Sequence, residues 1–290
     1  MKTAGQWRFG LMAGFVLTAG CTGTAGCAGT TAGPVAATPP AAERTAAEVA
    51  APRPYLAEGT GVQSLAYLPP PPAAGSAAFA HDEEVSRAAL ALRGTARWRL
   101  AVEDVNRNFP RVASTYSCAL GTAITLRDTP TLYRLMQRVN ADSSRATRSA
   151  KDHYRRVRPY VVNGQPTCDP AAEAALRGDG AYPSGHGSRG WLWGLVLSEV
   201  APDRTPALLA RGRAYGESRL ICNVHWRSDV QAARELATAV YARLHASPEF
   251  RADVEAARAE VVAARTRGVP PDRDCAAEAA AMAEWTLPAP

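Results

Sequence analysis

Arg219, His225 and Asp229 fall within eleven positions of one another in the stretch Ser218-Arg-Leu-Ile-Cys-Asn-Val-His-Trp-Arg-Ser-Asp229. If the second half of this stretch is helical, His225 and Asp229 stand at i and i+4 on one face. A carboxylate placed there holds one imidazole nitrogen and leaves the other aimed outward, as a nucleophilic histidine requires. Arg219 precedes His225 by six residues. On a continuous helix it would therefore point roughly 240° away. For both side chains to reach one ligand, the helix must break between them, near Cys222 and Asn223. The stretch then reads as a nucleophile next to an anion clamp.

Two upstream segments carry the complementary chemistry. In Lys151-Asp-His-Tyr-Arg-Arg-Val-Arg158-Pro159, the cations Lys151 and Arg158 are seven residues apart. Two turns of helix would project them from one face, and Pro159 would end or kink that helix. In Tyr182-Pro183-Ser184-Gly185-His186, an apolar helix follows directly. Ser184 suits its N-cap, and Gly185 allows close approach of a ligand to the backbone. Free N–H groups at the helix start make an anion site. His186 stands where it could give a proton to a departing oxygen. Three cations, a helix-start N–H cluster, a hydroxyl and two histidines, one with its own carboxylate, match the needs of phosphoryl transfer.

The composition is compatible with this chemistry. The chain has 290 residues, 47% hydrophobic, with abundant Ala, which reads as a helix-rich protein with a sizeable core. Its net charge of +6 becomes +4 once Lys2 and Arg8 are removed with a leader. That charge is too dispersed for nucleic acid. Of 33 basic residues only Lys2 and Lys151 are lysines. Either the chain has drifted to Arg, or position 151 needs a compact ammonium rather than a planar fork.

Residues 1–28 read as an export signal, with Lys2 and Arg8 ahead of a short apolar run from Phe9 to Thr18. That run is too short to span a bilayer. Thr-Ala-Gly-Cys ends at Cys21 and again at Cys27. Each copy resembles a lipoprotein cleavage box, with Thr in place of the usual Leu. Two destinations follow: periplasmic or secreted, or held at a membrane through a lipid on Cys21 or Cys27. Residues 29–54 form an Ala/Pro/Thr-rich tether, 55–266 the catalytic domain and 267–290 a C-terminal tail. The four prolines at 69–72 should lie extended across the surface.

From Asp82 onward three- and four-residue apolar spacing dominates, with Asp82, Glu83 and Glu84 suiting a helix start. Gly94 interrupts that run. Further helices are expected near 110–126, 130–157, 187–200, 205–217, 224–245 and 248–266, and no alternating strand is evident. The fold class is therefore all-α. Cys118, Cys168, Cys222 and Cys275 permit three pairings in an oxidising compartment. A Cys168–Cys222 bridge would brace the site, and Cys118–Cys275 would then pin the tail; buried free thiols are the alternative. No Cys/His spacing suggests zinc.

Lys-x6-Arg-Pro, Pro-Ser-Gly-His and Ser-Arg-x5-His-x3-Asp, in this order, resemble the tripartite signature of the type 2 phosphatidic acid phosphatase (PAP2) superfamily, which also holds the vanadium haloperoxidases. Every fixed position is met, at 151, 158, 159, 183–186, 218, 219, 225 and 229. Outside the motifs, Ser64-Leu-Ala-Tyr-Leu-Pro-Pro-Pro-Pro72, Ala146-Thr-Arg-Ser-Ala-Lys151 and Leu244-His-Ala-Ser-Pro-Glu-Phe250 are similar to the bacterial class A non-specific acid phosphatases.

The resemblance implies a single all-helical bundle with an N-terminal extended segment, working without metal or cofactor. It implies that His225 attacks phosphorus, that Asp229 orients it, and that His186 serves as acid and then base. Lys151, Arg158, Ser184, Gly185 and Arg219 would hold the phosphoryl oxygens. The implied reaction is broad-specificity hydrolysis of small phosphomonoesters at acidic to neutral pH, inhibited by phosphate or vanadate. The alternatives are a vanadate-dependent haloperoxidase or a phosphotransferase in the same pocket and, more remotely, an inactive phosphate-binding protein. A homo-oligomer is compatible with the resemblance. His81, His153 and His245 match no motif position and are expected at the surface or in packing.

Overall fold

The computed structural model describes residues 53–288, so the leader, most of the tether, Cys21 and Cys27 lie outside the described residues. Fourteen α-helices, and no strand, occur among the described residues. They are α1 (Ser64–Tyr67), α2 (Ala77–Leu90), α3 (Ala96–Glu103), α4 (Arg111–Ser114), α5 (Ser117–Leu120), α6 (Pro130–Ala146) and α7 (Arg148–Tyr154). Then follow α8 (Pro159–Asn163), α9 (Glu173–Arg177), α10 (Gly185–Val200), α11 (Thr205–Ile221), α12 (Arg227–Leu244), α13 (Pro248–Thr266) and α14 (Cys275–Ala283). No described helix is long and apolar enough to cross a membrane.

α10 is the central element because its sequence offers no polar face to water. Leu192, Trp193, Val196, Leu197 and Val200 are buried on several sides, and the helix touches α6, α11, α12 and α13. Its approach to α11 depends on small residues. A Cβ at Gly190 would lie 2.5 Å from the Tyr215 ring, and one at Gly212 would lie 2.9 Å from the Gly190 carbonyl. The two helices that carry His186 and Arg219 are thereby held almost backbone to backbone.

α6 adds Leu132, Leu135, Met136 and Val139 to the core at helical spacing. Its buried Asp142 accepts from the amides of Tyr55 (2.9 Å) and Leu56 (3.1 Å), which fixes the start of the domain. The prolines at 69–72 run extended, and the Pro69 carbonyl accepts from the Tyr182 hydroxyl at 2.7 Å. The expected tail is a packed element. α14 lies against α3, is bonded through Cys118–Cys275, and directs Glu278 to Arg211 (3.3 Å) and Arg273 (3.2 Å). The second disulfide joins Cys168 and Cys222. Each closes a long loop, of 157 and 54 residues in separation.

Four expectations need correction. The single helix expected over 110–126 is two one-turn helices, stopped where Gly121 turns left-handed (φ 82°). The helix expected over 130–157 divides into α6 and α7 and ends at Tyr154, because Arg155 is left-handed (φ 42°). The pairing of Lys151 and Arg158 on one helical face therefore does not occur; residues 155–158 leave the helix before Arg158. Finally, Asp82 is not at a helix start. α2 begins five residues earlier behind the Ser76 N-cap, and Asp82 is buried in its middle.

Candidate active site

α11 ends at Ile221, and Asn223 adopts a left-handed conformation (φ 59°) that redirects the chain. The amides of Val224 (3.1 Å) and His225 (3.3 Å) both return to the Arg219 carbonyl. Asn is one of the few residues that takes this conformation at low cost. Its side chain is held by Asn163 and the Gln165 carbonyl, and the Cys168–Cys222 bridge anchors the preceding residue. The break expected between Arg219 and His225 is therefore present. It brings both onto one pocket with Lys151, Arg158, Gly185 and His186.

His225 is held at both ring nitrogens. Nδ1 lies 3.3 Å from Asp229 Oδ2, and Nε2 lies 3.1 Å from Arg158 Nη1. With the proton placed on Nδ1, the Nε2 lone pair accepts from Arg158 and faces the pocket. Burial, then Arg158, Lys151 and Arg219, pushes the His225 pKa well below 6.5. Both burial and the neighbouring cations favour the neutral form of the ring.

Asp229 is fully buried and lies behind the pocket wall. It also accepts from the Trp226 amide at 2.8 Å and Arg156 Nη1 at 2.6 Å. Burial raises its pKa, and Arg156 opposes the rise. Acceptance of three N–H groups is the coordination of an ionised carboxylate.

Ser184 caps α10, its Oγ accepting from the Gly187 amide at 3.1 Å. It is buried one step behind the pocket, which Gly185 lines. The amides of Gly185 and His186 precede the first intrahelical bond and have no acceptor within the helix. A Cβ built on Gly185 meets nothing within 4 Å, so neither packing nor a positive φ demands glycine there. The open space above it is where a ligand would lie against the backbone. Gly185→Ala should fold normally, yet lower kcat/KM by about 10- to 100-fold by pushing a phosphoryl oxygen off the amides. Steady-state kinetics beside a thermal melt checks this.

His186 stacks on Tyr215 with ring centroids 5.4 Å apart, and its Nε2 is buried without a hydrogen-bond partner. Burial, then Arg219, Arg189 and Arg107, lowers its pKa well below 6.5. Arg219 likewise has Nε and Nη1 buried and unpartnered, and burial brings its pKa down to about 10. A guanidinium with two orphaned donors is costly to bury unless an acceptor arrives. Lys151 Nζ donates to Asp179 Oδ2 (3.0 Å) and to the Gly180 carbonyl. Burial and Arg158 lower its pKa while Asp179 opposes them.

Sequence reasoning missed four participants, Asp179, Arg156, Asp82 and Ser228. Asp179 bridges Lys151 and Arg158, each at 3.0 Å from Oδ2. Arg156 clamps Asp229 and also reaches Asp82 Oδ2 at 2.8 Å, while Ser228 donates to Asp82 from both its amide (2.8 Å) and its hydroxyl (2.5 Å). Asp179 carried no signal beyond its two flanking glycines. Arg156 could have been suspected as a third basic residue beside Arg158. Ser218, a fixed position of the third motif, does not line the pocket; it donates to Asp104 at 2.7 Å and receives from Arg97 at 3.1 Å. Among the described residues, no three His, Cys, Asp or Glu side chains cluster as a metal site. His245 packs between Tyr241 and Phe250 and contacts Glu199.

The family model for the PAP2 superfamily matches residues 139–252, which include all three motifs. The chain is 41% identical over 207 residues to the non-specific acid phosphatase of Providencia stuartii, covering 71% of this chain and 84% of that one. The chain belongs to the PAP2 superfamily and to its non-specific acid phosphatases. Similar coverage is found with the acid phosphatase of Zymomonas mobilis, 38% identical across 72% of this chain and 79% of the relative. The non-specific acid phosphatase of Salmonella typhimurium is also 38% identical, across 76% and 88%. Residues 275–283 lie beyond the family-model match, yet in this chain they form α14, packed against α3.

Proposed function

We propose that this chain hydrolyses phosphate monoesters through a phosphohistidine on His225, with broad specificity. The observation that carries the reading is the pairing of a neutral imidazole, backed by a buried carboxylate, with a guanidinium that has two empty donors. In the first step His225 Nε2 forms a bond to phosphorus as the P–O bond to the alcohol breaks, and His186 gives its proton to the alkoxide. In the second, a water attacks the phosphohistidine, His186 takes the water proton, and inorganic phosphate leaves. Arg219, Arg158 and Lys151 neutralise the equatorial oxygens with the Gly185 amide, and Lys151 faces Arg219 across them. Arg158 exchanges its contact with Nε2 for a phosphoryl oxygen when substrate enters. Ser184 serves by fixing the helix start.

The pH dependence follows from the low pKa of His186. As a general acid it must be protonated, so the rate falls as pH rises through its pKa. In the free protein that pKa lies well below 6.5. A bound phosphoryl dianion offsets Arg219 and its neighbours and raises it. Because kcat/KM reports the free protein and kcat the complex, the alkaline limb of kcat/KM should lie at lower pH than that of kcat. Profiles on an alkyl phosphate, whose leaving oxygen needs the proton, between pH 4 and 8 check this; coincident limbs would remove His186 as the acid. The same reading expects inhibition by vanadate and indifference to EDTA.

Two cross-links that close long loops support function in an oxidising compartment, and so support reading residues 1–28 as an export signal.

A further inference from the structure

Lys151, Arg158 and Arg219 are assigned above to the phosphoryl group, yet three more arginines line the same pocket: Arg107, Arg148 and Arg189. Arg148 is engaged with Asp152 at 3.5 Å and Asp179 at 3.6 Å. The other two are not. Arg107 is exposed in the loop after α3, and among the described residues no carboxylate pairs with it. Arg189, one turn along α10 from His186, donates through Nε to Asn140 and lies over Trp193 at 5.7 Å. Its Nη1 is buried without an acceptor. The lining carboxylates are Asp179, already shared by Lys151 and Arg158, and Asp169. Six cations against two carboxylates leave a surplus of positive charge beyond what one phosphoryl dianion neutralises.

That surplus is placed on one side. Arg189 follows His186 by three residues on one face of α10, and both line the pocket together with Arg107, beside the group that protonates the departing oxygen. Past Arg107 the pocket opens further. Val105, Arg107 and Asp169 also line a larger cleft between α3, the 104–112 loop and α14, whose four arginines are balanced by five carboxylates, so the cationic surplus is confined to the inner pocket. An alcohol leaving from His186 along this path passes Arg107.

We propose that Arg107 and Arg189 form a second anion subsite on the leaving-group side, which selects phosphomonoesters whose alcohol carries a further phosphate. The proposal rests on the phosphatase reading and on His186 marking the leaving-group side. The phosphoryl group at His225 is transferred as before. The second phosphate stays on the departing alcohol, held by the two guanidinium groups, and no other bond changes.

The test compares kcat/KM for propane-1,3-diol bisphosphate and for 3-hydroxypropyl phosphate, which differ only in the second phosphate. Two equivalent ends give the bisphosphate a statistical factor of two. The wild type should prefer it by about tenfold or more, the size of one charge-assisted hydrogen bond, and the preference should shrink as salt screens it. Arg107→Gln and Arg189→Gln should each bring the ratio towards two, Arg107→Lys should keep part of it, and Arg107→Gln should leave hydrolysis of 3-hydroxypropyl phosphate within about threefold. A wild-type ratio of two overturns the subsite. Full preference in one Gln variant removes that arginine from it, and full preference in both removes the subsite while the phosphatase reading stands. Failure of the wild type to hydrolyse either ester overturns both readings.

Discussion

His225→Ala is expected to lower kcat on an aryl phosphate by roughly 10⁴-fold or more, since the other pocket imidazole, His186, has no carboxylate behind it to support a covalent intermediate. That factor corresponds to about 5.4 kcal/mol of transition-state stabilisation. The companion variant His186→Ala distinguishes the two steps. An aryl oxide leaves without help from an acid, so phosphorylation should survive, whereas hydrolysis of the phosphohistidine loses its base. The expected result is a burst of one phenolate per protein followed by turnover slower by about 10²- to 10⁴-fold. Mass spectrometry after quenching at alkaline pH should find phosphate on His225. Equal rates for wild type and His225→Ala, with or without EDTA, would sink the mechanism.

Arg156→Gln should cause the largest loss of stability. Arg156 is the counter-charge for two carboxylates, Asp82 and Asp229, that are 1% and 0% exposed. Breaking a buried pair from one side leaves the other charge unsatisfied and typically costs about 3–5 kcal/mol. For a domain of this size that lowers the melting midpoint by roughly 6–20 °C. The activity of the remaining folded protein should fall as well, because Asp229 loses its strongest contact and is no longer fixed against His225 Nδ1. Adding Asp82→Asn should recover part of the stability, since it removes one of the two stranded charges. A midpoint within 2 °C of wild type for Arg156→Gln would show that water or another cation replaces the guanidinium.

The same residues mark how far local reasoning reaches. The i, i+4 relation of His225 and Asp229 survives folding because only one helical turn separates them. It survives even though α12 starts just after His225, at Arg227. The break between Arg219 and His225 was required by a local argument, because a continuous helix could not aim both at one ligand. Lys151 and Arg158 show the opposite case. They reach one pocket, but not along the helical face that their spacing suggests. The chain turns left-handed at Arg155, and the Gly180 backbone presses so close to the Lys151 carbonyl that a Cβ there would lie 2.5 Å away. That contact joins residues about thirty apart, beyond any window of periodicity.

By itself, the sequence determined the helical class, the break before His225 and the inventory of histidines and cations. Those follow from side-chain type and from spacings of a few residues, which backbone geometry converts directly into direction. Only the tertiary structure decided which charges are neutralised and which are left waiting. Asp82 approaches from α2 to hold Arg156, Asp179 crosses from the loop after α9 to bridge Lys151 and Arg158, and α14 folds back to place Glu278 on Arg211. Burial and partners distant in the chain bias protonation, so the downward shifts of His225 and His186 become legible only once the helices are packed.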